Sequence, residues 1–81
     1  MKKNENTVMV IKVGSLYFSR EVRMAGTRTL FRFSPHVYDA KVYWSKRRAR
    51  NKADMLGGTV YTFDPINGEL LGETFPKAFG G

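Results

Sequence analysis

The 81-residue chain contains no cysteine. That excludes a disulfide framework and a thiolate zinc site, and it fits a reducing compartment. His36 is the only histidine, so there is no Cys/His nucleophile pair and no histidine-built metal cluster. It follows Ser34-Pro35 in an expected turn. Acids are half as common as bases, seven against 14, and they fall at no catalytic spacing; Asp39 and Asp64 read as turn residues. No apolar run approaches the ~20 residues that a membrane-spanning helix needs. Lys2 and Lys3 do not introduce a secretory signal, because Lys12 interrupts the apolar stretch Thr7–Val13 and no cleavage site follows. These absences point away from catalysis, cofactors and metals, and toward a non-enzymatic cytoplasmic protein.

What the chain has is positive charge. The formal net charge is +7, and six of the 14 bases lie between Lys41 and Lys52. A concentrated patch attracts polyanions better than the same charge spread evenly. The patch belongs to Ser45–Gly58, SKRRARNKADMLGG, which reads as one short helix. Ser45 is an N-cap, Gly57 a left-handed C′ residue, and Ala49, Ala53 and Leu56 share a narrow inner face. Lys46, Arg47, Arg48, Arg50 and Lys52 occupy the other faces, with no acid before Asp54. Such a helix is poorly written for stability. Cations near its N-terminus oppose the macrodipole at roughly 0.3–1 kcal/mol each when exposed. A capping box would carry Glu or Gln at position 48, where the chain has Arg. The sharp reading is a surface for phosphates or an acidic partner; the bland one is a solvated face that the domain tolerates. Gly57-Gly58 follows the helix instead of preceding one, so it is a helix stop and not a phosphate-cradling loop.

Around the helix the patterns are those of strands. Thr7–Val13 is rich in β-branched residues, and Gly14-Ser15 suits a type II′ turn into Leu16–Met24. There Leu16, Phe18, Val22 and Met24 share a face with Arg20 as the exception, while Tyr17, Ser19, Glu21 and Arg23 face water. Thr29–Phe33 is a third strand with Phe31 and Phe33 on one side and Leu30 and Arg32 on the other. His36–Trp44 is a loop with a short extended piece around Ala40–Tyr43. Thr59–Phe63 and Glu69–Phe75 form a hairpin about Asn67-Gly68, with a bulge at Gly72. The sum is β-β-β-α-β-β: an α+β domain over 7–75, in which about five antiparallel strands carry one helix on one face. Residues 1–6 read as a flexible terminus and 76–81 as a loose tail. One helix leaves part of a thin core open, with room for a second copy or a large partner to cover it.

Ala40 to Val60, reading A-K-V-Y-W-S-K…A-R-N-K-A-D-M-L-G-G-T-V, resembles a pattern in short early-region proteins of phages and prophages of Gram-positive bacteria. There a helix of the type A-x3-A-x-x-L-G-G follows an alanine-marked approach and a strand closes the unit. Ala49, Ala53, Leu56, Gly57, Gly58 and Val60 carry the likeness. The resemblance implies a small protein acting in a bacterial host cell that binds and interferes with host machinery, as inhibitors of CRISPR nucleases do. It assigns no functional residues.

The residues themselves support binding. Lys and Arg gain affinity for phosphates by releasing condensed counterions, and aromatic rings stack on bases. Arg47, Arg48, Arg50 and Lys52 are the expected phosphate contacts, with Lys46 and Lys41 in support and Tyr43 and Trp44 adjacent. Trp44 has a competing role as the largest core residue, capping the sheet, and Tyr43 is open between core and surface. The expected partner is nucleic acid or a nucleoprotein complex. The alternative is a host defence nuclease, met directly by an aromatic sheet face (Tyr17, Tyr38, Tyr43, Trp44, Tyr61) with the basic helix steering. An anionic membrane is disfavoured, because the helix offers it only alanines and one leucine.

Overall fold

Four consecutive residues of the first strand, Val8 to Ile11, are buried. A strand buried on both faces belongs at the centre of a sheet covered on both sides. In the computed structural model, which describes residues 7–26 and 28–75, this strand does lie at the centre. The elements are β1 (Val8–Val13), β2 (Leu16–Arg23), β3 (Thr29–Ser34), a 3₁₀ turn (Val37–Asp39), α1 (Lys46–Leu56), β4 (Thr59–Asp64) and β5 (Glu69–Glu73). The strands form one antiparallel sheet ordered β3-β2-β1-β4-β5. The α+β architecture and the order β-β-β-α-β-β match the sequence reading, with strand ends differing by one or two residues. The terminal segments expected at 1–6 and 76–81 lie outside the described residues.

The core is two clusters, one on each face of the sheet. On the helix face Met9, Ile11, Phe18, Tyr43 and Val60 meet Ala49 and Ala53 of α1. Phe31 and Phe33 extend this face, with ring centroids 6.0 and 5.8 Å from that of Phe18. On the far face Val8, Val10 and Phe63 are buried beneath Val37 and Ala40, and Tyr38 stands edge-on to Phe63 at 5.5 Å. A single helix was expected to leave one face open. The loop after β3 covers part of it.

That loop changes sides through a split in the sheet. β1 and β2 pair only at Lys12↔Tyr17 and Val13↔Leu16. Beyond that they part, and residues 41–43 enter the gap. The Lys41 N–H donates to the Phe18 carbonyl at 2.9 Å, and Tyr43 exchanges two bonds with Met9 at 2.8 and 3.0 Å. The short extended piece expected near Ala40–Tyr43 is therefore a single bridge between two splayed strands. It satisfies main-chain groups that the parting would otherwise leave unpaired.

A bulge in β2 corrects the expected facing. Phe18 pairs with Phe33 but Arg20 pairs with Arg32, so Ser19 is an extra residue. An extra residue reverses the alternation beyond it. Glu21 consequently joins Phe18 on the helix face, while Arg20 and Val22 join Leu30 and Arg32 on the far face. Arg20 is no exception within an apolar face; it lies on the other one. A second shift, between Thr62 and Phe63, lies opposite Gly72, where a bulge was expected.

Candidate functional site

The helix is seated by its small residues. Ala49 is 0% exposed and Ala53 is buried beside it, so the axis lies close to β1 and β4. Ser45 caps the first turn by accepting from the Arg48 N–H at 3.3 Å. Gly57 takes φ 74° at the C′ position, and the Gly58 N–H returns to the Ala53 carbonyl at 2.8 Å, a Schellman ending. The two glycines serve different needs. Gly57 supplies the left-handed backbone. Gly58 supplies room, since a Cβ there would stand 2.8 Å from the Lys12 carbonyl oxygen.

Because α1 is pinned by its alanines, its remaining faces point outward. Lys46, Arg47, Arg48 and Arg50 are exposed. Among the described residues none of the four has an acidic partner, and the first turn contains no acid. The Arg50 guanidinium lies 5.1 Å from the Phe75 ring centroid, within cation–π range. Lys46, Arg47, Arg50 and Asn51 line a shallow depression with Phe75.

Lys52 departs from the expectation. Its Nζ donates to Glu21 Oε1 at 2.7 Å and sits 5.6 Å from the Phe31 ring. The side chains are 22% and 29% exposed, so this pair bridges α1 to β2 at the rim of the core. The hydrogen bond from Lys52 is the main reason the Glu21 carboxyl is held below its ordinary pKa; desolvation opposes it, and the charges of Lys52, Arg23 and Lys41 add to the lowering. Lys52 was expected to contact phosphate, but it is engaged within the fold. Glu21, expected to face water, thus has its partner on the helix.

The aromatic pair before the helix divides as sharply. Tyr43, held by its bridge to Met9, is 8% exposed and lies in the core. Its hydroxyl is buried with no hydrogen-bond partner among the described residues. Burial, then the negative charge of Glu21, raises the phenol pKa. Trp44, the next residue, is 73% exposed. The core position considered for Trp44 belongs to Tyr43. Lys41 is exposed and lies 5.7 Å over the Tyr43 ring. Lys41, Val42, Trp44 and Arg48 border a hollow of about 220 Å³ at the helix entrance.

Elsewhere, sequence reasoning missed Lys12. It stands on the far face between the rings of Tyr17 and Tyr61, at 5.8 and 5.7 Å. Its signal was the lone cation in an apolar strand, at the same parity as Val8 and Val10. His36 is exposed, and its N–H bonds the Ser34 hydroxyl. Among the described residues no three His, Asp or Glu side chains gather about one point, and no helix is long and apolar enough to cross a membrane. No protein-family model, curated protein or solved structure matches the chain.

Proposed function

We propose that this is a small non-enzymatic binding protein whose α1 surface engages nucleic acid or a complex containing it, as a phage-type protein acting on host machinery would. The observation that carries the reading is the state of Lys46, Arg47, Arg48 and Arg50. All four are exposed, and no acid neutralises them among the described residues. Lys46, Arg47 and Arg48 occupy the first turn, where the macrodipole disfavours cations, and Arg50 follows just beyond it. Lys41 extends the patch on one side. A polyanion would replace mutual repulsion with attraction at every one of these positions.

The test is a charge reversal. Arg47, Arg48 and Arg50 changed together to Glu should leave the domain folded and weaken binding to nucleic acid at least about a hundredfold at low salt, measured by gel shift. Wild-type binding should weaken steeply between about 50 and 200 mM salt. Retained binding by the reversed variant removes the proposal.

Direct docking on a host defence protein through an aromatic sheet face has less to draw on. Tyr43 is in the core and Tyr17 and Tyr61 are partly buried around Lys12, which leaves two exposed rings in different places, Tyr38 on the far face against Phe63 and Trp44 at the helix entrance. An interface of that kind would resist salt, and that resistance is the result that would favour it.

A further inference from the structure

Trp44 is a large ring held out in solvent by a backbone that does not need it there. Its predecessor is fixed by two main-chain bonds to Met9, at 2.8 and 3.0 Å, and by a buried side chain. Its successor, Ser45, caps α1. The ring is therefore mounted between two immobilised residues, and ordering it on a ligand costs little conformational entropy. Among the described residues it has no aromatic neighbour. The charges beside it are cations: Lys41 and Arg48 border the same hollow, and Lys46 and Arg47 follow on the first turn.

We infer that Trp44 is a base-stacking platform and that the ligand of the basic surface is a single-stranded polynucleotide. This rests on the nucleic-acid reading of α1 and narrows it. A single strand presents base faces beside its phosphates, and a ring flanked by cations meets both together. A duplex hides those faces in its own stack. Trp44 would reach one only as a wedge, at the cost of unstacking a base step. Lys41, Arg48 and Arg47 hold the backbone on either side of the stacked base. Ring stacking accepts any base, so sequence preference is weak.

Trp44 is the only tryptophan in the protein, so intrinsic fluorescence reports on this ring alone. The probes are oligo(dT) and oligo(U) of about 12 nucleotides, within the span of one small domain, and a DNA duplex of the same length, all at one low salt concentration. Both single strands should quench the fluorescence and bind more tightly than the duplex. Trp44→Ala should weaken single-strand binding about ten- to hundredfold with an unchanged salt slope, and Trp44→Phe should recover most of it. Undiminished binding by Trp44→Ala overturns the platform, as does equal duplex affinity without quenching. If the reversal of Arg47, Arg48 and Arg50 still abolishes binding in those cases, the basic-surface reading stands alone. If the wild-type protein binds none of the three probes, both readings fall.

Discussion

Lys52 and Arg48 sit one turn apart on the same helix and carry the same charge, yet they belong to different parts of the molecule. Lys52 is partly buried, 2.7 Å from Glu21 and close to Phe31. Arg48 is exposed beside Trp44, and among the described residues its side chain has no acidic partner, while its backbone N–H is capped by Ser45. The division continues one step before the helix, where Tyr43 enters the core and Trp44 leaves it. The lesson is that a cluster of like residues is not one functional unit. Position against the sheet sorts it into an inner set that holds α1 and an exposed outer set, the one proposed to meet a ligand.

The largest effect expected is on the inner side. Phe18 is fully buried at the centre of the helix-face cluster, so Phe18→Ala should cost about 3–5 kcal/mol, read as a lower denaturant midpoint. In a domain this small such a loss approaches the whole stability. An unchanged midpoint would mean that α1 is not seated as described.

Lys52→Ala sharpens the comparison more gently. It should lower the midpoint slightly and leave nucleic-acid binding within about twofold, since an ion pair at the core rim adds little and the cation is already matched. Its signature is in acid. The folded-state pKa of Glu21 is lowered, so its contribution is fully present above the unfolded value of about 4.3 and disappears as pH falls through the folded value. The difference in stability between wild type and Lys52→Ala should therefore shrink below about pH 4. A difference that grows in acid would reverse the assignment.

Tyr43→Phe should have the smallest effect. It removes a buried hydroxyl that has no partner among the described residues, so stability should hold or rise by up to about 1 kcal/mol, with binding unchanged. A clear loss of binding would place Tyr43 in the outer set.

Much of this division was legible in the sequence and some was not, for identifiable reasons. The helix, its Ser45 and Gly57 caps and its Ala49–Ala53 inner face follow from local chemistry, and the structure reproduces them. The β1–β2 hairpin follows from its turn, Gly14-Ser15, where Gly14 has φ 64° and Ser15 does not share it, as a type II′ turn requires, whereas no turn announces the pairing of β1 with β4. The bulge at Ser19 is not local. It depends on how β3 pairs and on residues 41–43 occupying the gap beside β1. Without that bulge Glu21 reads as a wet residue, and its partner, 31 positions away, is invisible. Tyr43 and Trp44 stand in a stretch with no periodicity to say which turns inward. The bridge to Met9 decides it.

The central claim is that the outer cations are kept at the expense of the fold, and Arg48 tests it most directly. Arg48→Glu would complete a capping box with Ser45 and set an acid in the first turn, where both the cap and the macrodipole favour it. One measurement on this variant, denaturant midpoint and polynucleotide affinity side by side, separates the two roles. The account predicts stability raised by about 0.5–1.5 kcal/mol, read as a higher midpoint, together with affinity lowered at least about tenfold at low salt. Lower stability with undiminished affinity would contradict it, because Arg48 would then serve the fold and not a ligand.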